Sequence, residues 1–205
     1  MPKINALPAM TTVADDDVFA ADDVSTANKD TKKVTFTKLK EWLQSLTSWI
    51  THSMVSTGFV VQEVATNYSA ASTGTTIIPQ DDTIPQSGEG FEVMTQAITP
   101  KSATNELMIA VTVYGGSSVG DDLIVALFKD SDASAIATVG VPIGASGGST
   151  ITFKHKITSG TTSSITFKVR FGGSQAGTRT FNGRIGTRVF GAITKSSIKI
   201  TEVKA

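Results

Sequence analysis

The hydrophobic period of this chain changes once. Between residues 36 and 50, apolar side chains recur three and four apart, at Phe36, Leu39, Leu43, Leu46 and Ile50. That spacing is a short heptad seam, and it predicts a helix with Thr35 as N-cap. From Phe59 to the end the period is two. FVVQEVATNY, IIPQ, FEVMTQAIT, LMIAVTVY, AIATVGV, ITFKHKI, ITFKVRF, RTFNG and SIKITEV each read as strands. Alternate residues of a strand face opposite sides of a sheet. Leu107, Ile109, Val111 and Val113 therefore share one face, as do Ile165, Phe167, Val169 and Phe171. LIVALF is almost continuously apolar and is expected to be buried on both faces. Gly-rich or Asp-Ser turns divide these runs about every ten residues, as in a sandwich.

The expected fold is mainly β: a C-terminal jelly-roll sandwich preceded by an extended N-terminal arm and one short α-helix. The regions are an arm over 1–34, a helical stalk over 35–57 and a jelly-roll knob over 58–205. In the arm, Pro2 and Pro8 oppose helix, and Asp15, Asp16, Asp17, Asp22 and Asp23 favour solvent. A helix of about 18 residues is marginal alone in water. Two packings would stabilise it: three copies around an axis, or the β domain of its own chain. The N-terminal MPKINALPAM is not read as a signal peptide, and no run is apolar enough for a membrane span.

Composition narrows the chemistry. The 18 basic and 18 acidic side chains balance, so net charge gives no argument for nucleic acid. Without Cys there is neither a disulfide framework nor a thiolate metal site. Charge is uneven along the chain, however. Residues 57–132 hold ten acidic and two basic residues, whereas 133–201 hold nine Lys or Arg and no acid. Either the two blocks pair within one sheet, or an acidic face of one protomer meets a basic face of the next.

No catalytic constellation is present. His52 ends the predicted helix, and His155 shares a strand face with Ile151, Phe153 and Ile157, which suits a core or interface histidine. A histidine ring on a three-fold axis is the alternative. No GxSxG elbow accompanies them. Asp81, Asp82, Asp121, Asp122, Asp130 and Asp132 do not follow calcium-loop spacing and suit turn caps. A glycosidase needs two carboxylates about 5–9.5 Å apart across a sugar bond, which sequence cannot locate. GASGGST and GGSQAGT lack the Lys of a phosphate loop. Neither enzyme activity, cofactor nor metal is expected.

Residues 73–106, TGTTIIPQDDTIPQSGEGFEVMTQAITPKSATNE, join a Pro-rich hinge to a strand that ends in ITPKSATN. From Pro79 to Asn105 the segment resembles the opening of jelly-roll domains on tail fibres, tailspikes and head fibres of bacterial viruses. KINALPAM and KKVTFTKLKEWL are similar to the virion-attachment ends of such fibres. The resemblance implies a homotrimeric virion appendage, assembled in the host cytoplasm and contacting a bacterial host. Its stalk would use Phe36, Leu39, Leu43, Leu46 and Ile50. A head fibre or capsid decoration protein is the alternative, and a glycan-degrading enzyme a remote one. Residues 1–34 would bind other virion proteins.

Antiparallel connectivity also sorts the loops. Turns near 100–105, 130–134 and 158–163 fall at one end with the chain termini, and loops near 115–120, 142–149 and 172–196 at the other. The longest carries Arg179, Phe181, Arg184 and Arg188 with no acid nearby. Arg suits anionic groups and Phe a sugar face, so these four residues are the candidate receptor site for a surface glycan. Alternatively, the arginines pair with acidic strands.

Overall fold

The computed structural model describes residues 18–22, 31–35, 40, 41, 43, 44 and 58–205. The chain divides into two compact units, Met1–Ser56 and Thr57–Ala205. In the first, β1 (Val18–Asp22) pairs antiparallel with β2 (Thr31–Thr35), Val18 opposite Thr35. The expected irregular arm thus contains a hairpin, whose ladder satisfies backbone groups that a lone extended chain leaves to water. Lys40, Glu41, Leu43 and Gln44 are helical, and Leu43 is half exposed. Phe36, Leu39, Leu46 and Ile50 lie outside the described residues, as does His52.

The second unit is two packed antiparallel sheets. Its main strands are β3 (Val60–Tyr68), β4 (Ser72–Gly74), β5 (Phe91–Ile98), β6 (Glu106–Ser117) and β7 (Asp121–Lys129). They continue as β8 (Ala137–Ile143), β9 (Gly148–Thr158), β10 (Ile165–Gly173), β11 (Arg179–Phe181) and β14 (Ser196–Val203). A small hairpin, β12 (Gly183–Arg184) with β13 (Thr187–Arg188), lies between the last two. One sheet runs β3-β14-β6-β9 and the other β5-β10-β7-β8. This is the jelly-roll arrangement. β6 outlasts β14, so beyond Thr112 its free edge takes β11, which in turn takes β4.

The register turns the expected apolar sets inward. Leu107, Ile109, Val111 and Val113 of β6 and Phe167, Val169 and Phe171 of β10 are buried, with Leu123, Val125, Leu127, Ile198 and Ile200 between them. The Phe91 and Phe171 rings meet edge to face at 5.8 Å between centroids. β7 is buried on both faces, as its continuous apolar run requires. Its outer residues Ile124, Ala126 and Phe128 lie under Ile78. IIPQ is therefore not a strand but part of a strap over residues 75–90. It is tied down by Ile78 N–H to Gly173 O at 3.0 Å and Ala135 N–H to Pro85 O at 2.9 Å. The Arg170 guanidinium donates to the carbonyls of Glu89 and Gly90 at 2.7 and 2.9 Å.

Both ends of the unit meet at one pole, where Gly58 N–H donates to Lys204 O at 2.8 Å. β6 runs from there, Glu106 opposite Val203, to Ser117 at the distal pole. Three loops converge at that far end: Ser117 N–H bonds Gly147 O at 3.2 Å, and Ser118 N–H bonds Thr178 O at 3.0 Å. The loop sorting expected from antiparallel counting holds.

Candidate functional site

The distal loop over 182–196 is built on a polar clamp. Asn182, buried and at φ 52°, leaves β11. Its amide nitrogen donates to Tyr68 O at 2.7 Å and Ala70 O at 3.1 Å, and its Oδ1 accepts from Ser196 Oγ at 2.7 Å. Ser196 Oγ in turn accepts from Tyr114 N–H at 2.9 Å. The loop therefore begins and ends on two mutually bonded, buried side chains. Such a base restrains the entry and exit of everything between.

What stands on this base is exposed. The turn between β12 and β13 has Ile185 at φ 52° and Gly186 at φ 73°. Two consecutive left-handed residues make the tight hairpin turn that suits strand twist. Glycine accepts that conformation freely, whereas a β-branched residue does not. Gly186 N–H is held by Thr180 Oγ1 at 2.8 Å. A 3-10 turn, Phe190–Ala192, follows, and Phe190 and Ala192 are again left-handed, at φ 51° and 71°. Ile185, Phe190 and Ile193 are 55%, 71% and 80% exposed. Arg184, Arg188 and Lys195 are exposed with them, and among the described residues none of the three is paired with a carboxylate.

The four candidate receptor residues do not form one site. Arg184 and Arg188 flank the exposed turn. Arg179 is 1% exposed, and its guanidinium donates to the buried carboxylate of Asp121 and to Gln175 O. Phe181 is in the core. Every residue of β11 is buried, because β11 is flanked by β6 and β4 and roofed by the loop. Arg179 and Phe181 are thus withdrawn from any receptor surface. Ile185, Phe190 and Ile193 are the exposed large apolar residues of this loop. Their sequence signal was weak: isolated apolar residues in a Gly-rich loop with no period.

The other candidates have structural duties. Asp81 Oδ1 accepts from the Thr83 hydroxyl and backbone N–H, at 2.5 and 2.9 Å, and these bonds lower its pKa. Asp130 Oδ1 accepts from Thr166 N–H at 2.8 Å. His155 sits partly buried opposite Ile109. A cavity of about 210 Å³ beside the strap mixes Glu92, Asp130 and Asp132 with Lys168 and Arg170. Among the described residues no group of three His, Cys, Asp or Glu side chains is placed to hold a metal. No helix of the described residues is long and apolar enough to cross a membrane.

Fold and loop together define a jelly-roll domain that displays an apolar and cationic tip away from its termini. The Pgp3 C-terminal domain family matches residues 75–205, and the chain belongs to that family. No curated protein matches the sequence significantly. Among solved structures, one described as CBM4 shares 15% identity over 72% of this chain and 83% of its own, with a TM-score of 0.36. Eiger TNF from S. frugiperda shares 12% identity over 70% of this chain and 94% of its own, with a TM-score of 0.38. The sugar-binding EclA C-terminal domain shares 18% over 60% and 76%, at 0.29. Likenesses at such scores carry no argument about function.

The family match overturns the virion-appendage reading. Residues 79–105, on which that resemblance rested, fall within a domain family of a Chlamydia virulence protein. Tail fibre, tailspike, head fibre, capsid decoration and glycan-degrading enzyme are all set aside, with the virion location and virion partners of residues 1–34. The physical reason lies in what those residues do. The strap covers β7, and ITPKSATN closes a turn against Glu202 through the backbone N–H groups of Lys101 and Ser102. Both devices close a sandwich and say nothing of where the sandwich is used.

Proposed function

We propose that this chain is a homotrimeric, non-enzymatic binding protein that uses the loop over 183–195 as its contact surface. The observation that carries the reading is the exposure of Ile185, Phe190 and Ile193 on a clamped base, at the pole opposite both ends of the β unit. Burying large apolar side chains is the default in folded proteins, so three of them left outside on one loop mark a contact site. The left-handed backbone at Ile185 and Phe190 supports it, since strain concentrates where a side chain must be presented.

Trimer formation is supported by the family match over residues 75–205. The outer face of the β3-β14-β6-β9 sheet carries short side chains such as Ala110 and Thr112, with Lys156 and Lys199 paired to Glu106 and Glu63 at 2.7 and 3.1 Å. The strap side carries exposed Asp81, Asp82 and Glu92, with Lys168 and Arg170 beside Glu92. A head-to-tail contact between two different faces is heterologous, the kind that closes rings. A non-enzymatic role is supported by the carboxylates already engaged in the fold, Glu202, Asp121, Asp81 and Asp130.

Sedimentation of the wild type and of the triple variant Ile185→Ser, Phe190→Ser, Ile193→Ser tests both halves. Trimers of equal thermal stability are expected for both proteins. A monomeric wild type refutes the assembly. A variant that dissociates shows that the loop is a subunit contact and ends its reading as an outward surface.

A further inference from the structure

We infer that the distal loop inserts into an anionic lipid surface, a reading that rests on the loop being the outward contact surface. Three features point to a bilayer. First, the loop joins exposed Ile185, Phe190 and Ile193 to Arg184, Arg188 and Lys195 within twelve residues, counted from 184 to 195. Apolar side chains that enter the acyl boundary, beside cations that meet acidic headgroups, form the chemistry of interfacial attachment.

Second, the local charge is uncancelled. No Asp or Glu occurs from Ala133 to Thr201. The carboxylate beneath the loop, Asp121, is buried and paired with Arg179. Asp122 at the start of β7 is only partly exposed. Third, the apolar residues are mostly exposed, and none of them lines the cavity beside the strap or the two along it. The cavities of about 140 and 320 Å³ lie along the strap and β8. A fluid headgroup layer needs no shape complement, and three copies on one trimer would strengthen a weak single contact.

The full chain would be mixed with vesicles of phosphatidylcholine alone and of phosphatidylcholine with phosphatidylglycerol, then sedimented. Binding is expected to the second only, and to weaken as salt is raised. The variant Arg184→Ser, Arg188→Ser, Lys195→Ser should lose at least about tenfold in affinity, as should the triple apolar variant above. Wild type that ignores anionic vesicles overturns the inference, as do serine variants that bind equally well. If the variants stay trimeric while no vesicle is bound, the lipid assignment alone fails and a protein partner takes its place. A variant that dissociates instead refutes the outward-surface reading itself.

Discussion

The Asn105 side-chain amide donates to Glu202 Oε1 at 2.6 Å, joining the turn after β5 to the last strand. Glu202 is fully buried, and it also accepts from Gln62 Nε2 at 2.5 Å and from Lys101 N–H at 2.9 Å. One carboxylate thus holds β3, β14 and the ITPKSATN turn together near both ends of the unit.

Burial raises the Glu202 pKa, but bonds from Asn105, Gln62, Lys101 and Ser102 outweigh it and leave the group below the ordinary glutamate value. A depressed carboxylate pKa stabilises the fold above the unfolded value, and that contribution is lost as pH falls through the folded value. Glu202→Gln keeps the shape but turns an amide donor toward other donors. It should cost about 2–3 kcal/mol at neutral pH. Denaturant titrations should show this gap closing in acid. An unchanged gap at low pH would remove Glu202 from the account.

Arg179 and Asp121 form a buried ion pair between β11 and β7, with Arg179 Nε and Asp121 Oδ1 left without partners. A Cβ at Gly173 would collide with both side chains, so the close approach of β10 needs glycine there. Removing one charge strands the other. Arg179→Met or Asp121→Asn should each cost about 3–5 kcal/mol, whereas replacing both with apolar residues should cost less than either. Arg184→Ser and Arg188→Ser should stay within about 0.5 kcal/mol of wild type. Comparing these variants by equilibrium unfolding separates the buried arginine from the exposed ones.

Ile185 occupies a conformation that costs an L-residue about 1–2 kcal/mol. Ile185→Asn creates the Asn-Gly pair this hairpin turn prefers. Calorimetry should show a melting temperature higher by about 2–4 °C. Contact through the tip should weaken in the same protein. A gain in stability with loss of binding is what a side chain retained for presentation predicts.

Ile78 is fully buried against Ile124, Ala126 and Phe128, and it anchors the strap. Ile78→Ala should cost about 2–5 kcal/mol. The strap would loosen first, so hydrogen exchange at Ile78 and Gly90, whose N–H groups bond Gly173 O and Ile77 O, should quicken more than in β6. Uniform quickening would mean that the strap and sandwich unfold as one.

Sequence alone determined the sandwich, its inward set and the sorting of its loops. Strand parity is local: once Ile109 faces the core, Leu107 and Val111 must follow, and antiparallel connectivity then assigns each turn to a pole. LIVALF announced its double burial because no solvent face was left in it. The tip was only half legible. Arg184 and Arg188 were found by charge, but a three-residue strand such as β11 has too little period to show which way Arg179 and Phe181 point. Whether Arg179 is buried depends on Asp121, which is remote in sequence and arrives only when β7 and β11 come together. The same holds for Glu202 and for Ile78. A buried charge or a strap acquires its meaning from a partner, and the partner is supplied by tertiary structure.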